Sequence, residues 1–184
     1  MRNQSTLGTG ARVCCGWMGS GNRSLWVLAG LVVIGDRVSK AAIVASMPHG
    51  ASETVIGGFF NLVHVRNTGI AFSLFADSAP WFRDLLLPGI SMVAIGVIVA
   101  LLWRQAKLSR TSRIALVLIL AGAVGNLYDR LLYGYVTDFL DLYVGSYHWP
   151  AFNVADSAIT IGAVMLLAES IFVRNPHSEE AGTA

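Results

Sequence analysis

Charge is what this chain of 184 residues has least of: only 13% of its residues are Asp, Glu, Lys or Arg, about half the roughly 25% of soluble domains. Cysteine is also scarce. Cys14 and Cys15 stand side by side near the N-terminus, which excludes a disulfide framework and a cysteine metal site, since both need spaced partners. The histidines, His49, His64, His148 and His177, are scattered, and no H-E-x-x-H segment exists, so the zinc-hydrolase signature is missing. There is no internal repeat, no low-complexity tract and no second domain. What is abundant is apolar side chain: 54% of the residues are hydrophobic and the mean hydropathy is +0.60. This composition belongs to an integral membrane protein.

Four stretches, 25–47, 85–103, 114–131 and 151–173, approach the run of about 20 apolar residues that crosses a hydrocarbon core. The expected fold is therefore an all-α membrane bundle of four transmembrane helices, because in lipid each span must satisfy its own backbone hydrogen bonds. The layout divides into a leader at 1–24, a four-span domain at 25–173 and a tail at 174–184. Arg104, Lys107, Arg110 and Arg113 crowd the connection RQAKLSRTSR, Arg2, Arg12 and Arg23 precede the first span, and Arg174 follows the last. By the positive-inside rule these regions, and so both termini, are cytoplasmic. Topology thus accounts for the basic loop, no aromatics are interleaved in it, and a nucleic-acid partner is not expected. The first span is read as retained, because GDRVSK interrupts it and no A-x-A-like cleavage site is present.

Two connections, 48–84 and 132–150, are then exported. In the first, FFNLVHVRNTGIAFSLF combines β-branched and aromatic residues around the breaker N-T-G, a composition that predicts a short hairpin or small sheet on the outer face. The second, YGYVTDFLDLYVGSYHWP, is dense in Tyr and Trp, which favour the headgroup interface.

Polar residues stand inside the spans. At about 1.5 Å per residue, Asp36 lies about 16 Å and Lys40 about 22 Å from the cytoplasmic end of the first span. On the same scale Asn126 and Arg130 lie about 18 and 24 Å along the third, and Asp156 about 7 Å below the outer end of the fourth. All fall in the outer half of the bilayer. Asp36 with Lys40 and Asn126 with Arg130 are spaced i,i+4, and Asn153 with Asp156 i,i+3, so each pair shares a helix face. A self-neutralising Asp36–Lys40 salt bridge is the plain reading of the first pair. Asp156 has no cation on its own helix, and an intramembrane carboxylate of that kind marks a function.

Two carboxylates that share a site cannot both ionise easily, so one keeps a proton, and a water between them meets a base and an acid together. Asp138 and Asp141 precede the fourth span and either could fold over Asp156; Asp129 is a further candidate. Ser39 and Lys40 form no Ser-Lys dyad, because adjacent helical residues diverge. A proton or ion pathway is the main rival, but it needs polar groups at several depths, and segments such as WVLAGLVVI and VMLLA carry none.

GDRVSK (35–40), VRNTGIAFS (65–73), GNLYDRLLYGYVTDFLD (125–141) and WPAFNVADSAI (149–159) together resemble lipoprotein signal peptidase, or signal peptidase II, the bacterial inner-membrane aspartyl peptidase family, over about residues 25–173. The resemblance implies a catalytic dyad of Asp138 and Asp156, with Asn67, Asn126, Arg130 and Asn153 lining the site and Asp36 and Lys40 supporting it. It implies a substrate-cradling sheet at about 52–75 and no metal or organic cofactor. The implied partners are prolipoproteins whose lipobox cysteine carries diacylglycerol, cut just before that cysteine, together with membrane lipid and cyclic peptide inhibitors of the globomycin type. Two features depart from the family pattern: Ile70, where Ala is usual, and the length of the leader 1–24.

Overall fold

The computed structural model describes residues 20–69, 85–104 and 108–172. The leader before residue 20, the tail after 172 and Ile70 lie outside the described residues. Helix α1 (Ser20–Ser46) is followed by strands β1 (Ser52–Ile56) and β2 (Phe60–Asn67), then by helices α2 (Leu87–Trp103) and α3 (Arg110–Tyr133). Strands β3 (Val136–Val144) and β4 (Tyr147–His148) come next, and helix α4 (Val154–Phe172) is last.

Local chemistry sets these boundaries. Pro48 stands just past the end of α1, and the residue before a proline is pushed out of the helical region. Pro88 opens α2, where its missing N–H costs nothing. Ser109 caps α3 by accepting the Ser112 N–H at 2.9 Å, and Gly134, at φ 74°, closes it in the left-handed conformation that glycine adopts without penalty.

The bundle is turned inside out relative to a soluble protein. Val27, Leu31, Ile34 and Val38 of α1, Val93 and Val97 of α2, and Val164, Leu167 and Ile171 of α4 are exposed, while Asp36, Lys40, Asn126 and Asn153 are buried. Helices α3 and α4 are each long and apolar enough to cross a membrane, and α2 is a shorter apolar helix of 17 residues. Helix α3 packs against α1, α2 and α4. Its approach to α4 is close: a Cβ on Gly122 would lie 2.3 Å from the Ala155 carbonyl oxygen, and one on Gly162 of α4 would lie 2.5 Å from that of Ala115. Small residues let membrane helices meet backbone to backbone. A second contact is apolar: Ile98, Leu102, Leu116, Val117 and Leu120 join α2 to α3.

The strands form one antiparallel sheet in the order β1-β2-β3-β4, and it differs from the expected one in two ways. The hairpin turns at Gly57 and Gly58 (φ 80° at Gly58), so FNLVHVRN is a single strand that N-T-G terminates; residues 70–84 lie outside the described residues. The aromatic connection before the last helix does more than lie at an interface: it supplies β3 and β4. Strand β3 pairs with β2 across Asn61↔Asp141 and Val65↔Asp138.

Candidate active site

The segment Asn153-Val154-Ala155-Asp156 starts α4, and its first task is to cap it. The Asn153 side-chain oxygen accepts the Asp156 N–H at 2.9 Å, and the Asp156 carboxylate accepts the Asn153 N–H at 3.3 Å. This reciprocal pair is a capping box. A further first-turn donor, the Ala155 N–H, goes to Asp36 Oδ1 of α1 at 2.9 Å. The start of α4 is therefore fixed from its own chain and from a neighbouring helix.

Because the Asn153 oxygen is occupied by the cap, its amide nitrogen faces outward and donates to Asp138 Oδ1 of β3 at 2.7 Å. Asn67, at the end of β2, donates to the other oxygen, Asp138 Oδ2, at 2.9 Å. The same logic fixes Asn126. Its oxygen accepts from Lys40 Nζ at 3.0 Å, so its nitrogen donates to Asp156 Oδ1 at 2.7 Å. Asn153 and Asn126 are thus each oriented by a partner on the far side of the amide, and each aims its nitrogen at one carboxylate.

Lys40 is itself held from three sides, by two hydrogen bonds and an ion pair. Its ammonium has three donors and meets Asp36 Oδ2 at 2.8 Å, Asn126 Oδ1 at 3.0 Å and Asp129 Oδ2 at 2.8 Å. Asp129 also pairs with Arg37, whose guanidinium lies 4.5 Å from the centre of the Tyr128 ring. Asp36, Lys40, Asp129 and Arg37 make a neutral quartet that spans α1 and α3. Buried charges need such pairing and hydrogen bonding.

Asp138, Asp156, Asn67, Asn126 and Arg130 line one cavity of about 770 Å³. Its other walls are mostly apolar, with Ile90, Ala94 and Ile98 of α2, Ile119 of α3, Ile159 of α4 and the segment Trp149–Phe152. Arg130 donates to the Gly69 carbonyl at 3.1 Å, and its charge acts on both Asp156 and Asp138. Burial and then the neighbouring Asp156 charge raise the Asp138 carboxyl from its ordinary 3.8 to about 6, against the opposing hydrogen bonds of Asn67 and Asn153 and the charge of Lys40.

All eight residues singled out in the sequence, Asp36, Lys40, Asn67, Asn126, Arg130, Asp138, Asn153 and Asp156, meet in this network. The Asp36–Lys40 bridge forms as the plain reading had it, but it continues into Asn126 and Asp129. Of the alternatives left open, Asp129 and Asp141 do not line the cavity; Asp129 is held by Lys40 and Arg37, and Asp141 by Asn61 and His148. Ser39 turns away, donating to the Asp36 carbonyl. Sequence reasoning missed Arg37 and the roles of Asp129 and His148. The available signal was adjacency, since Arg37 and Asp129 sit next to the selected Asp36 and Arg130.

The family model for Signal peptidase (SPase) II matches residues 28–172, which contain every residue of this network. The chain belongs to the signal peptidase II family. The lipoprotein signal peptidase of Cupriavidus taiwanensis is 51% identical over 154 residues, 83% of this chain and 86% of that protein. That of Vibrio cholerae is 44% identical over 151 residues, 82% of this chain and 87% of its own length. A solved structure of a bacterial membrane enzyme at 1.9 Å resolution superposes with a TM-score of 0.73 at 31% identity, covering 82% of this chain and 94% of the other. The signal peptidase II match and the inverted polarity of the helices agree that this is a membrane peptidase.

Proposed function

We propose that this signal peptidase II removes the signal peptide from prolipoproteins, and that it does so as an aspartic endopeptidase with Asp138 and Asp156 as its dyad. The observation that carries the reading is the charge balance around the cavity. Four carboxylates, Asp36, Asp129, Asp138 and Asp156, face three cations, Arg37, Lys40 and Arg130. The quartet on α1 and α3 is neutral, so Asp138 and Asp156 share Arg130, and a single proton held between them neutralises the site. That is the state a water-activating pair of acids requires.

In the mechanism, the ionised carboxylate takes a proton from water as its oxygen attacks the scissile carbonyl carbon. The protonated carboxyl gives its proton to the carbonyl oxygen. When the tetrahedral intermediate collapses, the C–N bond breaks, the leaving nitrogen takes a proton from the carboxyl that had accepted it from water, and a hydroxyl of the intermediate returns a proton to the other carboxylate, so the dyad regains its single proton. The proton belongs to the pair rather than to either Asp alone. Asn67, Asn126 and Asn153 hold the two carboxylates, Arg130 partly balances them, Lys40 orients Asn126, and Asp36 fixes both Lys40 and the start of α4. No metal or organic cofactor takes part.

The substrate class rests on the cavity. A polar end joined to apolar walls suits a peptide bond next to a diacylglyceryl-cysteine, with cleavage just before that cysteine and the sheet of β1–β4, including the 52–67 hairpin, as the cradle. The protein resides in the bacterial inner membrane, with α1 to α4 as four spans forming the 25–173 domain, the leader and tail cytoplasmic and the dyad toward the outer face. Cyclic peptides of the globomycin type would occupy the same cavity and inhibit. The test is incubation of purified protein, in lipid, with one prolipoprotein in diacylglyceryl and unmodified forms. Release of the signal peptide from the lipidated form alone, leaving cysteine as the new N-terminus, is expected; equal cleavage of both forms, or none, contradicts the reading.

A further inference from the structure

Asp141 is a buried carboxylate that the dyad does not use. It lies three residues beyond Asp138 on β3, and side chains on a strand alternate between faces, so it points away from the cavity that Val136, Asp138 and Leu142 line. There both its oxygens are engaged. Asn61 of β2 donates to Oδ2 at 2.8 Å, and His148 Nδ1 approaches Oδ1 and Oδ2 at 3.0 Å each. The His148 ring also stacks on Tyr143, with centroids 4.9 Å apart and planes 8° apart, and the Tyr143 hydroxyl accepts the Gly58 N–H at 2.8 Å. Loop tip, β2, β3 and β4 are thereby tied together around Asp141, Tyr143 and His148.

His148 immediately precedes Trp149, Pro150, Ala151 and Phe152, which form a wall of the cavity. That wall runs back along β3: the Trp149 N–H donates to the Leu142 carbonyl at 2.7 Å, and the Phe152 carbonyl accepts from Phe139 and Leu140 at 3.0 and 2.9 Å. It ends at Asn153, which donates to Asp138. Two carboxylates of one strand thus hold the two ends of one segment, Asp141 through His148 and Asp138 through Asn153.

We infer that Asp141 and His148 are positioning residues for the substrate, a clamp on the sheet's far face that fixes the Trp149–Phe152 wall and so sets how tightly the prolipoprotein is held. The inference rests on the peptidase reading for its substrate but not for its geometry. Loss of the clamp loosens a surface that touches substrate in ground state and transition state alike, so it raises KM and spares kcat.

The experiment compares wild type with Asp141→Asn, His148→Ala, His148→Asn and the double variant Asp141→Asn/His148→Ala, in two arms. In the kinetic arm, Asp141→Asn and His148→Ala raise KM for diacylglyceryl prolipoprotein about tenfold with kcat changed less than about threefold. The double variant is no worse than the worse single, because the two act as one unit. His148→Asn, whose amide nitrogen stands near the position of Nδ1, restores most of the KM. In the second arm, amide hydrogen exchange in the unliganded proteins speeds up across 149–152 in His148→Ala and Asp141→Asn, and not in the transmembrane helices.

Unchanged exchange at 149–152 overturns the clamp whatever the kinetics show. A fall in kcat of a hundredfold or more at constant KM in Asp141→Asn also overturns it, by putting Asp141 in the chemistry instead. If wild type cleaves no prolipoprotein, the functional reading fails and the exchange arm still decides the clamp.

Discussion

At the scale of single residues, Asp138 carries a pH signature. Its folded-state carboxyl titrates near 6 rather than 3.8, so between those values the folded protein binds a proton that the unfolded chain has lost. Stability therefore falls as pH rises from about 4 to about 6, by up to roughly 3 kcal/mol at about 1.4 kcal/mol per pH unit. Asp138→Asn removes this contribution, and its stability in detergent, measured by thermal unfolding from pH 4 to 8, is predicted to fall less than that of wild type across the window. An equal fall in both contradicts the assignment. Asn153 makes a second residue-scale prediction: Asn153→Ala loses the α4 cap, about 1 kcal/mol, and leaves Asp138 Oδ1 without its 2.7 Å donor. Activity then falls far more than melting temperature. The pairs Asp36–Lys40, Asn126–Arg130 and Asn153–Asp156 were legible in the sequence because helical spacing alone places their members on common faces. Choosing Asp138 over Asp141 was not, because it needs the strand: an odd separation puts them on opposite faces only once β3 is known to be extended.

At the scale of elements, the α3–α4 contact fixes the distance between Asn126 and Asp156. Gly122 is predicted to be irreplaceable: a Cβ 2.3 Å from the Ala155 carbonyl oxygen must push α4 away next to the dyad. Gly122→Ala should cost about 1–3 kcal/mol, as overpacking does, with a matching loss of activity. Gly35→Ala, where a Cβ meets nothing within 4 Å, should cost nothing. Similar melting temperatures for the two variants would argue against the close contact. The helices were readable from hydropathy to within a few residues at most ends. The sheet was not, because the β3 sequence VTDFLDLYV mixes two acids and a tyrosine into its apolar pattern, and its pairing with β2, some 70 residues earlier in the chain, is a long-range contact with no local trace. Likewise Gly57 and Gly58, rather than N-T-G, make the hairpin turn, since only the pairing partner decides which glycine closes a ladder.

At the scale of the whole molecule, the buried charge and the exposed apolar side chains make sense with lipid around the helices, and the proposed orientation puts the sheet at the outer surface. In a chain whose Cys14 and Cys15 are replaced by serine, Glu53→Cys on β1 should react with a membrane-impermeant maleimide added outside, and Thr111→Cys at the start of α3 should not. The reverse pattern contradicts the orientation. The central claim is the dyad, and the most direct measurement is single-turnover cleavage of a diacylglyceryl prolipoprotein by Asp138→Asn and by Asp156→Asn, each checked to be folded by a cooperative melting transition and a wild-type circular dichroism spectrum. Each variant is predicted to lose at least about a thousandfold in rate, the scale of a lost acid–base group. Cleavage at close to the wild-type rate by either one contradicts the account.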